Sequence, residues 1–161
     1  MADSFTLAAQ WLGQRNFLRV RVRKLAQIDK WVQQRSGNRL SVVAMAGLPS
    51  VVITVPGRKS GKLYATPLLC TPYRNGTLIA GSNFGNEKAP AWVPNLIAAI
   101  ENDATIDVRI LATHYPSRAT QLFDDDYEAA WQAMVAKWPS YDGYAARVTR
   151  TIPVFFLEPR G

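Results

Sequence analysis

A short apolar run that ends in a basic turn constrains the fold of this chain more than any other feature. The run extends from Val51 to Val55 and is rich in β-branched residues, which fit a buried strand. Pro56 and Gly57 then stop the run, so a turn must follow. The sequence therefore predicts a strand over 50–56 that leads directly into a tight turn.

The turn carries cationic side chains beside two glycines. Its residues are Gly57, Arg58, Lys59, Ser60, Gly61 and Lys62. Such side chains, together with the exposed backbone N–H groups of a turn, can converge on one phosphate or carboxylate. The segment is not a nucleotide P-loop, because the glycine spacing differs and Leu63 stands where Ser or Thr would be needed. The pattern indicates an anion site; the alternative is a solvated hairpin turn whose charges only confer solubility.

The remaining chain reads as short strands in succession, which predicts antiparallel pairing. Strand candidates lie at about 42–46, 50–56, 63–71, 77–82, 104–111 and 115–123. Helices are predicted at about Pro90–Ile100 and at Asp124–Lys137. The acidic start of the second helix suits its positive N-terminal end, and we favour this explanation over a metal site. Asn75-Gly76 is expected to form the two-residue turn of a hairpin.

The first part of the chain is strongly basic. Residues 1–62 contain 11 basic and 2 acidic residues, although the whole chain has a net charge of only +7. Apolar positions between residue 5 and about residue 35 recur at helical spacing, which predicts a basic amphipathic helix. The alternation over 20–23 would also suit a strand. This helix either packs on the rest of the fold, or attaches peripherally to a membrane surface, or forms part of a binding site.

Cysteine and histidine usage excludes several kinds of chemistry. Cys70 is the only cysteine and His114 the only histidine, which leaves no internal disulfide and too few ligands for a four-ligand zinc site. A Ser-His-Asp hydrolase is also disfavoured. Cys70 lies in an apolar run, which favours a buried inert thiol over a nucleophile. With no signal peptide or membrane-spanning run, we expect a cytoplasmic protein, with association at the inner face of the membrane as the further possibility.

Four segments occur in an order typical of one family. They are G-R-K-S-G at 57–61, S-N-F-G-N-E-K-A-P-A-W-V-P-N-L at 82–96, W-P-S-Y-D-G-Y at 138–144 and I-P-V at 152–154. In this combination the chain resembles the deazaflavin-dependent nitroreductase family of actinobacteria, over residues 38 to 159. The resemblance implies an α+β fold, namely an FMN-binding-like split β-barrel of mostly antiparallel strands with flanking helices. It divides the single domain into a basic N-terminal helical extension at 1–37 and a coenzyme-binding barrel at 38–161.

The family binds coenzyme F420, an 8-hydroxy-5-deazaflavin with a phosphate and an oligoglutamate tail. The resemblance implies that the turn, the next strand, the Ser82 loop and the following helix bind this coenzyme. The implied coenzyme-binding residues are Arg58, Lys59, Ser60, Tyr64, Ala65, Thr66, Pro67, Leu68, Leu69, Ala80, Gly81, Ser82, Asn83, Lys88, Ala91, Trp92, Val93, Pro94 and Asn95. Tyr64 and Asn83 depart from the family pattern, because each replaces a cation found in other members.

The late aromatic segment, 138–144, is expected to cover the substrate side of the coenzyme. Core packing is the general explanation of aromatic residues at this spacing. Pro139 and Gly143 nevertheless predict that this segment is irregular and surface-lying. The resemblance implies that Ser82 lies near the coenzyme ring, and that Tyr141 and Tyr144 orient or protonate the substrate.

The implied activity is hydride transfer from C5 of the reduced deazaflavin to an electron-poor acceptor, which is an enone or lactone, a quinone or a nitroaromatic. Two alternatives stay open: an FMN-binding split-barrel protein, and a non-enzymatic module that binds an anionic lipid, a fatty acid or nucleic acid. No recognised nucleic-acid motif accompanies the positive charge, so we expect a small-molecule substrate and no nucleic acid. The protein is expected to be a monomer or a homodimer.

Overall fold

The computed structural model describes residues 49–160, which form a seven-stranded antiparallel sheet and three helices. The strands are β1 (Ser50–Pro56), β2 (Leu63–Leu69), β3 (Thr71–Tyr73), β4 (Gly76–Ala80), β5 (Ile106–Ile110), β6 (Thr113–Gln121) and β7 (Val154–Pro159). The helices are α1 (Trp92–Glu101), α2 (Asp124–Lys137) and α3 (Ser140–Ala145). The strand expected at 42–46 and the basic helix expected within residues 5–35 lie outside the described residues.

The order of the strands shows that the sheet is rolled. Its order is β2-β1-β5-β6-β7-β4-β3, so β2 and β3 are its two edges. Only Cys70 separates these two edge strands in the chain. Since one residue spans less than about 4 Å, the two edges must approach each other at this corner. This geometry confirms the split β-barrel. It also corrects the predicted strand at 63–71, which ends at Leu69 because the chain passes to the other edge.

The inner face of the rolled sheet and α1 form the main core. Alternate side chains of β1 point inward and meet those of β5, as the register of Ile53 opposite Val108 shows. Leu96 of α1 and Phe155 of β7 are fully buried in this cluster. Burying each side chain of this size contributes about 1.5–3 kcal/mol. The core therefore fixes α1 inside the curve of the sheet.

A second core lies on the outer face of the sheet, under α2 and α3. Leu78 and Val154 supply the strand side, and Met134 supplies the helix side. Tyr141 and Tyr144 of α3 also belong to this cluster and are only 4% and 8% exposed. The late aromatic segment is therefore a short buried helix, and the prediction of an irregular, surface-lying segment is wrong.

The proline and the glycine that suggested an irregular segment are both compatible with the helix. Pro139 stands at the N-cap of α3, where a missing N–H is tolerated. At Gly143 a Cβ would meet no atom within 4 Å, so this glycine marks open space on the helix surface. Burial of the flanking tyrosines then outweighs the weak helix propensity of the glycine.

The hairpin of β3 and β4 turns one residue earlier than predicted. Tyr73 pairs with Gly76, so the turn consists of Arg74 and Asn75. Arg74 has a positive φ of 51°. Gly76 is instead a strand residue, where a Cβ would collide with the carbonyl oxygen of Leu157. The glycine therefore permits the close approach of β4 to β7.

Helix α2 begins and ends where the sequence predicts, with three aspartates in its first turn and Lys137 in its last. Such charges stabilise the two ends of a helix dipole. None of the helices within residues 49–160 has the length and apolar character needed to cross a membrane.

We predict that Cys70 is poorly reactive. Burial raises the pKa of its thiol to about 11, against an opposing hydrogen bond with Thr77. At pH 8 the thiolate fraction is then far below that of a free cysteine, and alkylation by iodoacetamide should be roughly 10- to 100-fold slower. The rate should still rise with pH above 9, where that of a free thiol levels off.

Mass spectrometry of the native protein measures this rate, and the urea-unfolded chain serves as the control. Equal rates in the two states would contradict a buried inert thiol.

Candidate functional site

The basic turn has a tightly bonded backbone and free cationic side chains. Gly57 N–H donates to the Lys62 carbonyl oxygen at 2.8 Å, and Gly61 N–H donates to the Gly57 carbonyl oxygen at 2.7 Å. The Ser60 hydroxyl accepts from Lys62 N–H at 3.3 Å. Arg58, Lys59 and Lys62 are exposed, and no carboxylate of residues 49–160 forms an ion pair with them. The turn thus presents positive charge that no carboxylate of residues 49–160 compensates, on a fixed backbone.

Helix α1 connects this turn to the rest of the site. The Asn95 side-chain oxygen accepts a hydrogen bond from Arg58 N–H at 3.2 Å. Two residues earlier in the helix, Val93 lies against the α-carbon of Gly81, where a Cβ would come within 2.8 Å of it. The first turns of α1 therefore bring together the basic turn and the Gly81–Lys88 loop, as the sequence analysis expects of these segments. A helix N-terminus also carries partial positive charge.

Strand β2 supplies an open edge next to the turn. It pairs with β1 alone among the described strands, so the backbone N–H and C=O groups on its other side have no strand partner there. Tyr64, Thr66 and Leu68 lie on the same face as the inward residues of β1. Tyr64 is 45% exposed, and the Lys62 ammonium lies 6.0 Å from the centre of its ring. An open edge of this kind can form backbone hydrogen bonds with a flat polar ring.

The Gly81–Lys88 loop has a strained, left-handed backbone. Asn83, Phe84 and Gly85 are consecutive residues with φ values of 47°, 55° and 73°. Each non-glycine residue in this region costs about 1–2 kcal/mol. Asn83 offsets part of this cost, since its side-chain N–H donates to the Lys88 carbonyl oxygen at 2.9 Å. The loop therefore keeps this shape only because its surroundings impose it.

The two candidate catalytic tyrosines differ in their surroundings. Burial raises the pKa of Tyr141, with smaller contributions from Tyr144 and Cys70, so this phenol stays neutral. Tyr144 contacts the loop instead, with its ring 6.2 Å from that of Phe84 in an edge-to-face arrangement. Trp138 Nε1–H donates to the Tyr144 hydroxyl at 3.5 Å. Tyr144 is thus the tyrosine that lies beside the candidate site.

Some expected site residues are core residues. Trp92 and Val93 are buried on the inner face, and Trp92 packs on Phe155 with ring centres 5.7 Å apart. Ala80 and Leu69 lie on the face of the sheet opposite to Tyr64 and Val55. These residues therefore belong to the core or to the outer face of the sheet, and not to the surface of the candidate site.

Sequence reasoning overlooked the residues that hold the loop from outside. The guanidinium group of Arg150 donates hydrogen bonds to backbone carbonyl oxygens of the loop. Next to it, Thr149 N–H and hydroxyl donate to the Glu87 carboxylate, and these bonds lower the pKa of that carboxyl. A single arginine before the closing strand gives no signal in one sequence, so only the folded chain reveals it.

Comparison with known proteins identifies the family of the chain. The family model for F420H(2)-dependent quinone reductase matches residues 24–159. An F420H(2)-dependent quinone reductase of Mycobacterium tuberculosis is 29% identical over 113 residues, which are 70% of this chain and 74% of that protein.

Two solved structures are also similar. An F420-H2 dependent reductase (FDR-A) is 31% identical, with a TM-score of 0.61, over 68% of this chain and 94% of that one. Another, described as a domain-swapped dimer, is 28% identical, with a TM-score of 0.62, over 80% of this chain and 98% of that one.

These findings confirm the resemblance seen in the sequence. They favour the reductase over both the FMN-binding and the non-enzymatic alternatives. The chain therefore belongs to the F420H(2)-dependent quinone reductase family and is an F420-dependent oxidoreductase.

Proposed function

We propose that the protein reduces electron-poor acceptors of the quinone type, at a site centred on the N-terminal end of α1. The observation that carries this proposal is the hydrogen bond between Asn95 and the backbone of Arg58, which ties the basic turn to that helix end. Enones, lactones and nitroaromatics share the electron-poor character of quinones and are the further acceptors to screen.

The chemistry of the donor set fits coenzyme F420. The phosphate and carboxylates of its tail need fixed cations, and Arg58 and Lys59 supply exposed charges that no described carboxylate neutralises. Its flat ring needs backbone hydrogen bonds and an apolar wall, and the open edge of β2 with Tyr64 and Leu68 supplies both. When bound in its reduced form, the coenzyme supplies a hydride.

The role of the protein is then to orient the reactants and to exclude water. We assign Ser82 and Asn83 to the coenzyme side, since they begin the loop beside Val93 and α1. We assign Tyr144 to the acceptor side. Because its hydroxyl oxygen accepts from Trp138, its own proton is available to donate to the reduced acceptor. Tyr141, which is more deeply buried, supports the ring of Tyr144 at 5.9 Å.

Removing the charges of the turn should weaken coenzyme binding. In the double variant Arg58→Gln/Lys59→Gln, two charge-assisted hydrogen bonds to the tail are lost, each worth about 1.5–3 kcal/mol. We expect the Kd for F420 to rise about 10²- to 10⁴-fold and its dependence on salt to weaken. Fluorescence titration at two salt concentrations measures both, with FMN as the comparison ligand.

Arg118→Gln is the matched control for this titration. Arg118 is exposed and lies 3.5 Å from Asp103, which follows the opposite end of α1. The Arg118→Gln variant should bind F420 as the wild type does. A double variant with unchanged Kd would refute the tail site, and binding of FMN alone would refute the choice of coenzyme.

Loss of the Tyr144 hydroxyl should slow turnover without weakening the binding of the coenzyme. A positioned general acid contributes about 10²- to 10⁴-fold to a rate, so we expect Tyr144→Phe to lower kcat by at least about 10²-fold. Tyr141→Phe is the control, and we expect it to keep most of the activity because Tyr141 is assigned a supporting role behind the Tyr144 ring. Steady-state kinetics with a quinone and F420 titrations separate the two effects. Equal losses of turnover and coenzyme affinity in Tyr144→Phe would argue against a role on the acceptor side.

We further propose that the protein is cytoplasmic and approaches anionic membranes through its basic segment, residues 1–62. Lipid-soluble quinones reside in such membranes, and each basic residue near an anionic surface contributes about 1 kcal/mol. The protein should therefore co-sediment with phosphatidylglycerol vesicles more than with phosphatidylcholine vesicles. Replacing Arg15, Arg19 and Arg23 with glutamine should reduce this binding. Unchanged sedimentation would exclude this segment as a membrane contact.

A further inference from the structure

A single arginine holds both ends of the left-handed loop. Arg150 Nη2 donates to the carbonyl oxygens of Gly81 at 3.0 Å and Ser82 at 3.2 Å, before the left-handed residues. The same nitrogen donates to the Asn86 carbonyl oxygen at 3.1 Å, and Nε donates to the Glu87 carbonyl oxygen at 2.9 Å, both after these residues. Nη2 thus bonds both ends of the loop and Nε adds the bond to Glu87, an arrangement that we call the clasp. A lysine ammonium has a single nitrogen on a flexible stem, so it would lose the Nε bond and the fixed planar orientation of the donors.

A second tether starts at the neighbouring residue. The Glu87 carboxylate accepts hydrogen bonds from Thr149 N–H at 3.1 Å and from the Thr149 hydroxyl at 2.5 Å. Thr149 and Arg150 belong to the segment between α3 and β7, which has no regular structure of its own. The loop and this segment therefore fix each other in position.

The clasped loop touches the acceptor-side tyrosine in two ways. Phe84 packs edge-to-face against Tyr144, with ring centres 6.2 Å apart. Gly85 lies against the guanidinium group of Arg147, which itself lies 5.0 Å from the centre of the Tyr144 ring. At Gly85 a Cβ would come within 2.7 Å of Arg147 Nε. The loop backbone, Arg147 and Tyr144 therefore form one packed unit.

We infer that Arg150 is a positioning residue that fixes the position of the coenzyme side of the site relative to the acceptor side. Ser82 and Asn83 lie in the loop that it clasps, and Tyr144 packs against the tip of the same loop. This inference rests on the proposed function, since these residues are site residues only under it. Arg150 touches neither reactant in this role and acts through the loop.

The test compares Arg150→Lys with Arg160→Lys in the full chain. Arg160 also makes side-chain bonds across the fold, to Thr105 at 3.0 Å and to Asp103 at 2.8 Å, but these lie beyond the far end of α1. Both variants lose a guanidinium tether, so a loss of stability alone should appear in both. Thermal unfolding is measured first, and all assays are run well below the lower Tm.

The first readout needs no coenzyme. Lys88 is exposed and lies at the end of the clasped loop, so native-state trypsin cleavage after Lys88 reports how well the loop is held. We expect Arg150→Lys to be cut at this bond at least about 10-fold faster than the wild type, and Arg160→Lys at the wild-type rate. Equal cleavage in all three proteins would overturn the clasp.

The second readout is the split between kcat and KM with a quinone acceptor. A small misplacement of reactants costs on the order of 10²-fold in rate, so kcat should fall 10- to 100-fold in Arg150→Lys. KM for the acceptor should change less than about 3-fold, and Arg160→Lys should keep the wild-type kcat. Faster cleavage without loss of kcat would overturn the positioning role. A wild-type protein that neither binds F420 nor reduces any acceptor would instead refute the proposed function, while the cleavage rates would still decide the clasp.

Discussion

The closure of the sheet at Cys70 is the constraint on which the rest of the structure depends. One residue joins β2 to β3, although these strands are the two edges of the seven-stranded order. The edges must therefore meet at that corner, and the sheet must roll. Rolling encloses the inner core around α1 and leaves the outer face of β4 and β7 for α2 and α3. It also explains why the thiol of Cys70 is buried at the corner and unsuited to chemistry.

The same closure decides where a ligand can bind. The rolled sheet is split rather than sealed, because β2 forms a ladder only with β1 among the strands described. The turn that enters β2 carries cations that pair with no carboxylate in the described part of the chain, and α1 reaches this turn through Asn95. On the other side of the helix end, the clasped loop carries Ser82 and leads to Tyr144. The proposed site therefore combines a charged part fixed by a turn with an aromatic part fixed by a loop.

Local sequence signals predicted the elements whose stability is local. The β-branched residues of β1 and the charged ends of α2 specify these elements without help from distant residues, and both were placed correctly. The prediction failed where distant contacts decide. Gly76 is a strand residue because β7 approaches it, and α3 is helical because its tyrosines bury against the outer core. The clasp by Arg150 could not be predicted at all, since 63 to 69 residues separate it from the carbonyl groups that it binds.

The fold gives a physical explanation for the two residues that depart from the family pattern, Asn83 and Tyr64. Asn83 adopts a φ of 47° and its side chain bonds the Lys88 carbonyl oxygen, which is a conformation and a contact that asparagine favours and lysine does not. Asn83 therefore stabilises the shape of the loop, and a cation at this position is not needed for that role. Tyr64 lies on the exposed edge with the Lys62 ammonium 6.0 Å from its ring, so positive charge remains next to this position. Under the proposed function, Lys62 therefore supplies positive charge beside Tyr64, while Asn83 stabilises the loop.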